Sequence, residues 1–66
     1  MIFRSKDGLT IITESQTIIA EYGTMDTSKL YIKIKGVYIA TYEEEDGKLI
    51  MNHIWNELGG KKFAFV

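Results

Sequence analysis

The stretch Leu30-Tyr31-Ile32-Lys33-Ile34-Lys35-Gly36-Val37-Tyr38-Ile39-Ala40-Thr41-Tyr42 decides the fold. Read as one unbroken strand, it mixes Tyr, Ile, Gly and Lys on both sides, which a half-buried surface does not tolerate. Read as two strands joined by a two-residue loop at Lys35-Gly36, the residues sort by chemistry. Ile34 then faces Val37, Ile32 faces Ile39 and Leu30 faces Thr41 on one side of the ribbon. Lys33/Tyr38, Tyr31/Ala40 and Lys29/Tyr42 fall on the other. Matched cross-strand pairs stabilise a sheet, so the stretch is predicted to be a β-hairpin.

Toward the N-terminus, Asp7-Gly8 is a strong hairpin signal, because both central positions of a type I′ turn need φ > 0. It joins a predicted strand near Ile2–Lys6 to one near Leu9–Thr13. A second reversal at Ser15-Gln16 leads into a strand over Thr17–Tyr22, and Gly23–Ser28 is a polar connection. Toward the C-terminus, Ile50, Ile54 and Leu58 recur at i, i+4 and i+8 within Lys48–Leu58, with Met51 and Trp55 beside them. Asn52, His53, Asn56 and Glu57 take the opposite side, which is a helical period. Asp46 is the expected N-cap and Gly59 the expected C′ residue; the alternative at Asp46-Gly47 is another hairpin turn. Lys61–Val66, alternating Phe63 and Phe65 with Lys62, Ala64 and Val66, is expected as a closing strand.

The predicted fold is α+β, an antiparallel β-meander in the order β-β-β-β-β-α-β with one short helix near the C-terminus. It forms a single small domain over residues 1–66. The layout resembles that of SH3-like small barrels in topology alone, and a fold does not fix a function.

At 66 residues the chain has a thin stability margin. Apolar residues are 45% of it and aromatics 12%, which places it among folded domains. Eight Lys and Arg against nine Asp and Glu leave a formal net charge of −1. That balance argues against a strongly basic nucleic-acid module and against an acidic mimic of DNA. With no Cys there are no disulfides, thiol nucleophiles or thiolate zinc sites, and a cytoplasmic setting is expected. No apolar run approaches the roughly 18 residues of a membrane span, so no membrane partner is expected.

Pairing centred on Ser15-Gln16 sets Leu9/Tyr22, Ile11/Ala20 and Thr13/Ile18 on one face and Ile12/Ile19 on the other, where Phe3 joins Ile12. Both faces of this half of the sheet then carry large apolar side chains, and one short helix covers only one face. Burying a Phe or Ile side chain contributes roughly 1.5–3 kcal/mol. Small domains have only about 5–15 kcal/mol in total. The second face is therefore expected to be closed by barrel formation or by another chain, and Phe3, Ile12 and Ile19 form the candidate self-association patch.

Catalytic constellations are sparse. His53 and Glu57 stand one helical turn apart, but a metal site needs three or four ligands. Gly59-Gly60-Lys61-Lys62 precedes a strand instead of a helix, which does not fit a phosphate loop. The run Glu43-Glu44-Glu45-Asp46 lacks the alternating spacing of a calcium loop. No enzyme activity, metal or cofactor is expected. The sharpest feature is Tyr31, Lys33, Tyr38 and Tyr42 on one side of the central hairpin. Tyr supplies rigid, amphipathic contact in protein interfaces, and Tyr with Lys can also hold single-stranded nucleic acid. The leading expectation is a small binding module of adaptor or inhibitor type that contacts another protein and self-associates. Single-stranded nucleic-acid binding through the Tyr/Lys side is the alternative.

Overall fold

Lys35 and Gly36 both adopt positive φ, 54° and 79°, as a type I′ turn at the centre of the Leu30–Tyr42 hairpin requires. The computed structural model describes residues 2–59. The expected closing strand over Lys61–Val66 lies outside the described residues. The elements are β1 (Phe3–Arg4), β2 (Thr10–Ile12), β3 (Thr17–Tyr22), β4 (Lys29–Ile34), β5 (Val37–Glu43) and α1 (Glu44–Glu57). The strands form one five-stranded sheet in chain order, every neighbour antiparallel, and α1 packs across one face. The fold is α+β, a β-meander followed by a helix. Among the described residues β1 does not pair with β5, so the sheet stays open and the expected SH3-like barrel does not close.

The Asp7-Gly8 hairpin keeps its expected register, Phe3 opposite Ile12 and Arg4 opposite Ile11. Its turn differs from type I′, because of the two loop residues only Gly8 has positive φ, at 78°. The Gly8 N–H donates to the Ser5 carbonyl at 3.0 Å. The Asp7 carboxylate accepts the Ser5 hydroxyl at 2.6 Å and the Leu9 N–H at 2.9 Å. A side chain that bonds the backbone two residues on makes its own turn, and Asp7 therefore needs no left-handed backbone.

Between β2 and β3 the register differs from expectation by two residues: Ile11 faces Ile18, Thr10 faces Ile19 and Ile12 faces Thr17. The cause is Thr13, whose hydroxyl accepts the Gln16 N–H at 3.0 Å and the Ser15 N–H at 3.3 Å. This places Glu14-Ser15 at the tip, instead of Ser15-Gln16. A shift of two leaves every side chain on its own face.

In the central hairpin, Ile34/Val37 and Lys33/Tyr38 pair as expected. The register then slips, so that Ile32 faces Ala40, Tyr31 faces Thr41 and Leu30 faces Tyr42. Ile39 is the extra residue of a β-bulge. A slip of one exchanges the faces, which carries Ala40 and Tyr42 to the helix side. Tyr42 packs against the core there.

The helix starts at Glu44, ahead of the expected Lys48. Glu43 occupies the N-cap position without a side-chain hydrogen bond, which removes Asp46 from that role. Glu44, Glu45 and Asp46 fill the first turn, where carboxylates favour the positive end of the helix dipole. Glu44 also accepts the Tyr22 hydroxyl at 2.6 Å, and Glu43 pairs with Lys29 at 3.2 Å. The Glu44 bond pushes the Tyr22 phenol above its ordinary pKa, and the Glu43 carboxylate does the same for Lys29. The acidic run thus anchors the helix start to the sheet.

Gly47 is an internal helix residue and not a turn. A Cβ there would lie 2.8 Å from Leu30 Cδ1 and 2.9 Å from Leu30 Cβ. The buried side of α1 is Gly47, Met51 and Trp55, one position on from the expected Ile50, Ile54 and Leu58. Ile54 packs at the rim and Leu58 is exposed. Gly59, with φ 79° and its N–H on the Asn56 carbonyl at 3.0 Å, is the C′ residue as expected.

The core comprises Ile11, Ile18, Ala20, Leu30 and Ile32 from the sheet with Met51 and Trp55 from α1. Arg4 closes its β1 end: the guanidinium lies 5.8 Å from the Trp55 ring centre and donates to Asn52 Oδ1 and the Gly8 carbonyl. No helix among the described residues is long and apolar enough to cross a membrane.

Candidate functional site

Because α1 covers the face bearing Ile11, Ile18, Ile32 and Leu30, strand alternation sends their neighbours to the other face. The register aligns those neighbours into rows. Phe3, Ile12 and Thr17 form one row across β1, β2 and β3. Thr10, Ile19, Lys33 and Tyr38 form a second across β2 to β5, and Ser5 continues it through its N–H to the Thr10 carbonyl at 2.9 Å. Glu21, Tyr31 and Thr41 form a third.

The two patches expected from the sequence are therefore parts of one surface. Phe3, Ile12 and Tyr38 are 41%, 47% and 54% exposed, while Ile19, Tyr31 and Lys33 are half-buried. Tyr42 is the exception, turned to the core by the Ile39 bulge. Nothing in the composition of the hairpin marks that bulge. Its effect is to set Ala40, in place of the expected Ile39, opposite the buried Ile32 on the helix side.

The face is held in a defined shape. The Tyr31 and Tyr38 rings lie diagonally across β4 and β5, 6.1 Å between centres and tilted 48°, within the range of favourable aromatic pairs. Tyr38 Oη lies 2.6 Å from Thr41 Oγ1 in a hydroxyl–hydroxyl hydrogen bond. Lys33 Nζ is 3.2 Å from Glu21 Oε2, so the charges of the two central rows cancel within the face. Exposed pairs of this kind contribute little to stability; their consequence here is a nearly neutral surface. Thr10, Glu21 and Thr41 are members of the face that sequence reasoning missed, since only the observed registers bring them beside Ile19, Lys33 and Tyr38.

At the end of the face, an open groove of about 350 Å³ runs between Tyr31 and the Gly23–Met25 turn, flanked by Glu21 and Lys33. Gly23 is required at its base, because a Cβ there would lie 2.9 Å from the Tyr31 ring and 2.6 Å from the Asp26 carbonyl. His53 lies on the exposed side of α1, in the other layer. Among the described residues no group of three or more His, Cys, Asp or Glu is placed to hold a metal ion. The chemistry on offer is shape, apolar area and phenolic hydroxyls. Comparison with protein-family models, with curated proteins and with solved structures finds no match to this chain.

Proposed function

We propose that this chain is a non-enzymatic binding module that works by protein contact through the open face of its sheet. Phe3, Ile12, Ile19, Tyr31 and Tyr38 supply the contact, and Lys33 with Glu21 its polar part. The observation that carries the reading is the continuity of these large side chains on the face away from the helix. Contiguous apolar surface of this kind marks interaction sites, and a ring pair already held in place loses little freedom on binding. An adaptor or inhibitor role, with self-association, is consistent with that chemistry.

Single-stranded nucleic acid is the weaker reading. With Tyr42 in the core the Tyr/Lys part of the face keeps two Tyr rings, and its central Lys33 is already engaged by Glu21. Capture from the native cell tests the protein reading when the wild type is run beside a Tyr31→Ala/Tyr38→Ala variant and a Leu49→Ala helix-side control. A retained protein that is lost only with the double Tyr variant supports it. Retention unchanged in all three overturns it. Retention of oligonucleotides that falls steeply with salt would replace it with the nucleic-acid reading.

A further inference from the structure

We propose that the β5 edge of the sheet pairs with the β5 edge of a second copy of the same chain, antiparallel about a twofold axis perpendicular to the sheet. The inference concerns the edge and not the open face, and it does not depend on the reading of that face.

Among the described residues β5 pairs with β4 alone, which leaves a seven-residue strand with alternate backbone groups facing outward. Val37, Tyr38 and Ile39 on it are 61%, 54% and 55% exposed. The helix leaves them clear, because α1 crosses from Leu30 of β4, beneath Gly47, toward Arg4 of β1, beside Asn52 and Trp55.

Charge gives the edge a direction. Exposed Lys35 stands just before β5, and Glu43, Glu44, Glu45 and Asp46 stand at its far end. Lys29 and Lys48 meet Glu43 and Glu44, whereas Lys35, Glu45 and Asp46 have no ion pair among the described residues. Antiparallel pairing brings Lys35 of each copy to the acidic end of the other. Parallel pairing would lay one acidic run beside the other, and like charges suppress such contacts. With Ala40, the middle of the strand, on the axis, Glu43 and its counterpart stand about 20 Å apart, beyond the screening length.

The bulge selects the partner. Past Ile39 the alternation of faces reverses, so an ordinary strand laid along β5 matches it on one side of Ile39 and mismatches it on the other. Bulges protect sheet edges in this way. A second β5 carries the same reversal. Ala40 then meets Ala40 on the axis, Thr41 meets Tyr38 of the second copy on the open side, and Tyr42 meets Val37 on the helix side. Every pair keeps to one face. Glu43 comes opposite Gly36, which brings Lys35 to the first turn of the other helix. Closed twofold contact is the commonest way for identical chains to associate. This axis leaves both helices on one side and joins the two open faces on the other.

A contact one strand wide belongs with the small, reversible interfaces, and a dissociation constant of about 10–200 μM is expected. Sedimentation of the full chain from about 5 μM to 1 mM reads it, together with Lys35→Glu and Glu45→Lys. Either variant alone sets like charges together at both ends of the dimer and should weaken it about five- to thirtyfold. Mixed in equal amounts, the two restore opposite charges at both ends, so the mixture should associate about as tightly as the wild type. Urea midpoints at the lowest concentration check that each variant folds, and Asp46→Lys replaces Glu45→Lys if that chain does not. Weakening of each variant with recovery in the mixture supports the inference. A monomer at every concentration overturns it, as does a dimer that ignores both charges or fails to recover on mixing. The capture experiment decides the open-face reading separately.

Discussion

Replacing Gly47 with Ala sets two effects of opposite sign against each other. Gly inside a helix is less favourable than Ala by about 0.8–1.0 kcal/mol, so helix propensity alone predicts that Gly47→Ala stabilises the protein by about that amount. The structure predicts the reverse. The new methyl would lie 2.8 Å from Leu30 Cδ1 and 2.9 Å from Leu30 Cβ. Cδ1 can swing aside, but Cβ moves only with the strand, so α1 and β4 must separate. Overpacking a core in this way costs typically about 1–3 kcal/mol, and contact with a rigid atom places this case in the upper part of that range. The net expectation is a loss of about 1–2 kcal/mol. Urea unfolding measures it as a lower midpoint with an unchanged slope. Trp55, on the same side of the helix and only 4% exposed, should report the displaced packing as a red-shifted emission. A Gly47→Ala variant about 1 kcal/mol more stable than wild type, with unchanged Trp emission, would refute the close approach of α1 to β4.

Lys35 holds a left-handed backbone at a position where Asn is favoured before Gly. Lys35→Asn should therefore raise stability by about 0.5–1 kcal/mol in thermal or urea unfolding; no gain would argue against the type I′ turn. Arg4→Lys keeps the charge but loses the planar group over Trp55 and the forked bonds to Gly8 and Asn52. It should cost about 1 kcal/mol, read by the same unfolding and by Trp fluorescence. Asp7 is held below the ordinary carboxylate range first by the Ser5 hydroxyl, and Asp26 first by the Ser28 hydroxyl. Since their folded pKa values lie below the unfolded value of about 3.9, their contribution is complete above about pH 4. It is lost as the pH falls through the folded values. Urea midpoints measured from pH 6 downward should decline below pH 4, and less so in an Asp7→Asn/Asp26→Asn variant.

Much of the architecture was legible in the residues, where the signal was local. Lys35-Gly36 can scarcely do other than turn between two β-branched runs, and the helical period of Met51, Ile54 and Trp55 survives any shift of helix bounds. The two-residue error in the β2–β3 register cost nothing in face assignment, because strand alternation repeats every two residues. The candidate face was partly legible for the same reason: Phe3, Ile12, Ile19, Tyr31, Lys33 and Tyr38 follow from parity along their strands. Tyr42 did not, because it lies beyond a bulge, and a single inserted residue reverses the parity of everything after it.

Alternation and turn chemistry are properties of neighbouring residues, and they set the hairpins, the helix and the amphipathic strands before any tertiary contact forms. How closely the helix approaches the sheet is a property of residues far apart in the chain. Leu30 beneath Gly47 and Ala40 in the place of Ile39 are the terms on which α1 and β4–β5 fit together. The bulge in turn decides the side on which Tyr42 lies, and the contacts of Glu43 with Lys29 and Glu44 with Tyr22 tie the helix start to the sheet. Shape is settled where two surfaces meet, and a linear pattern carries no information about the distance between them.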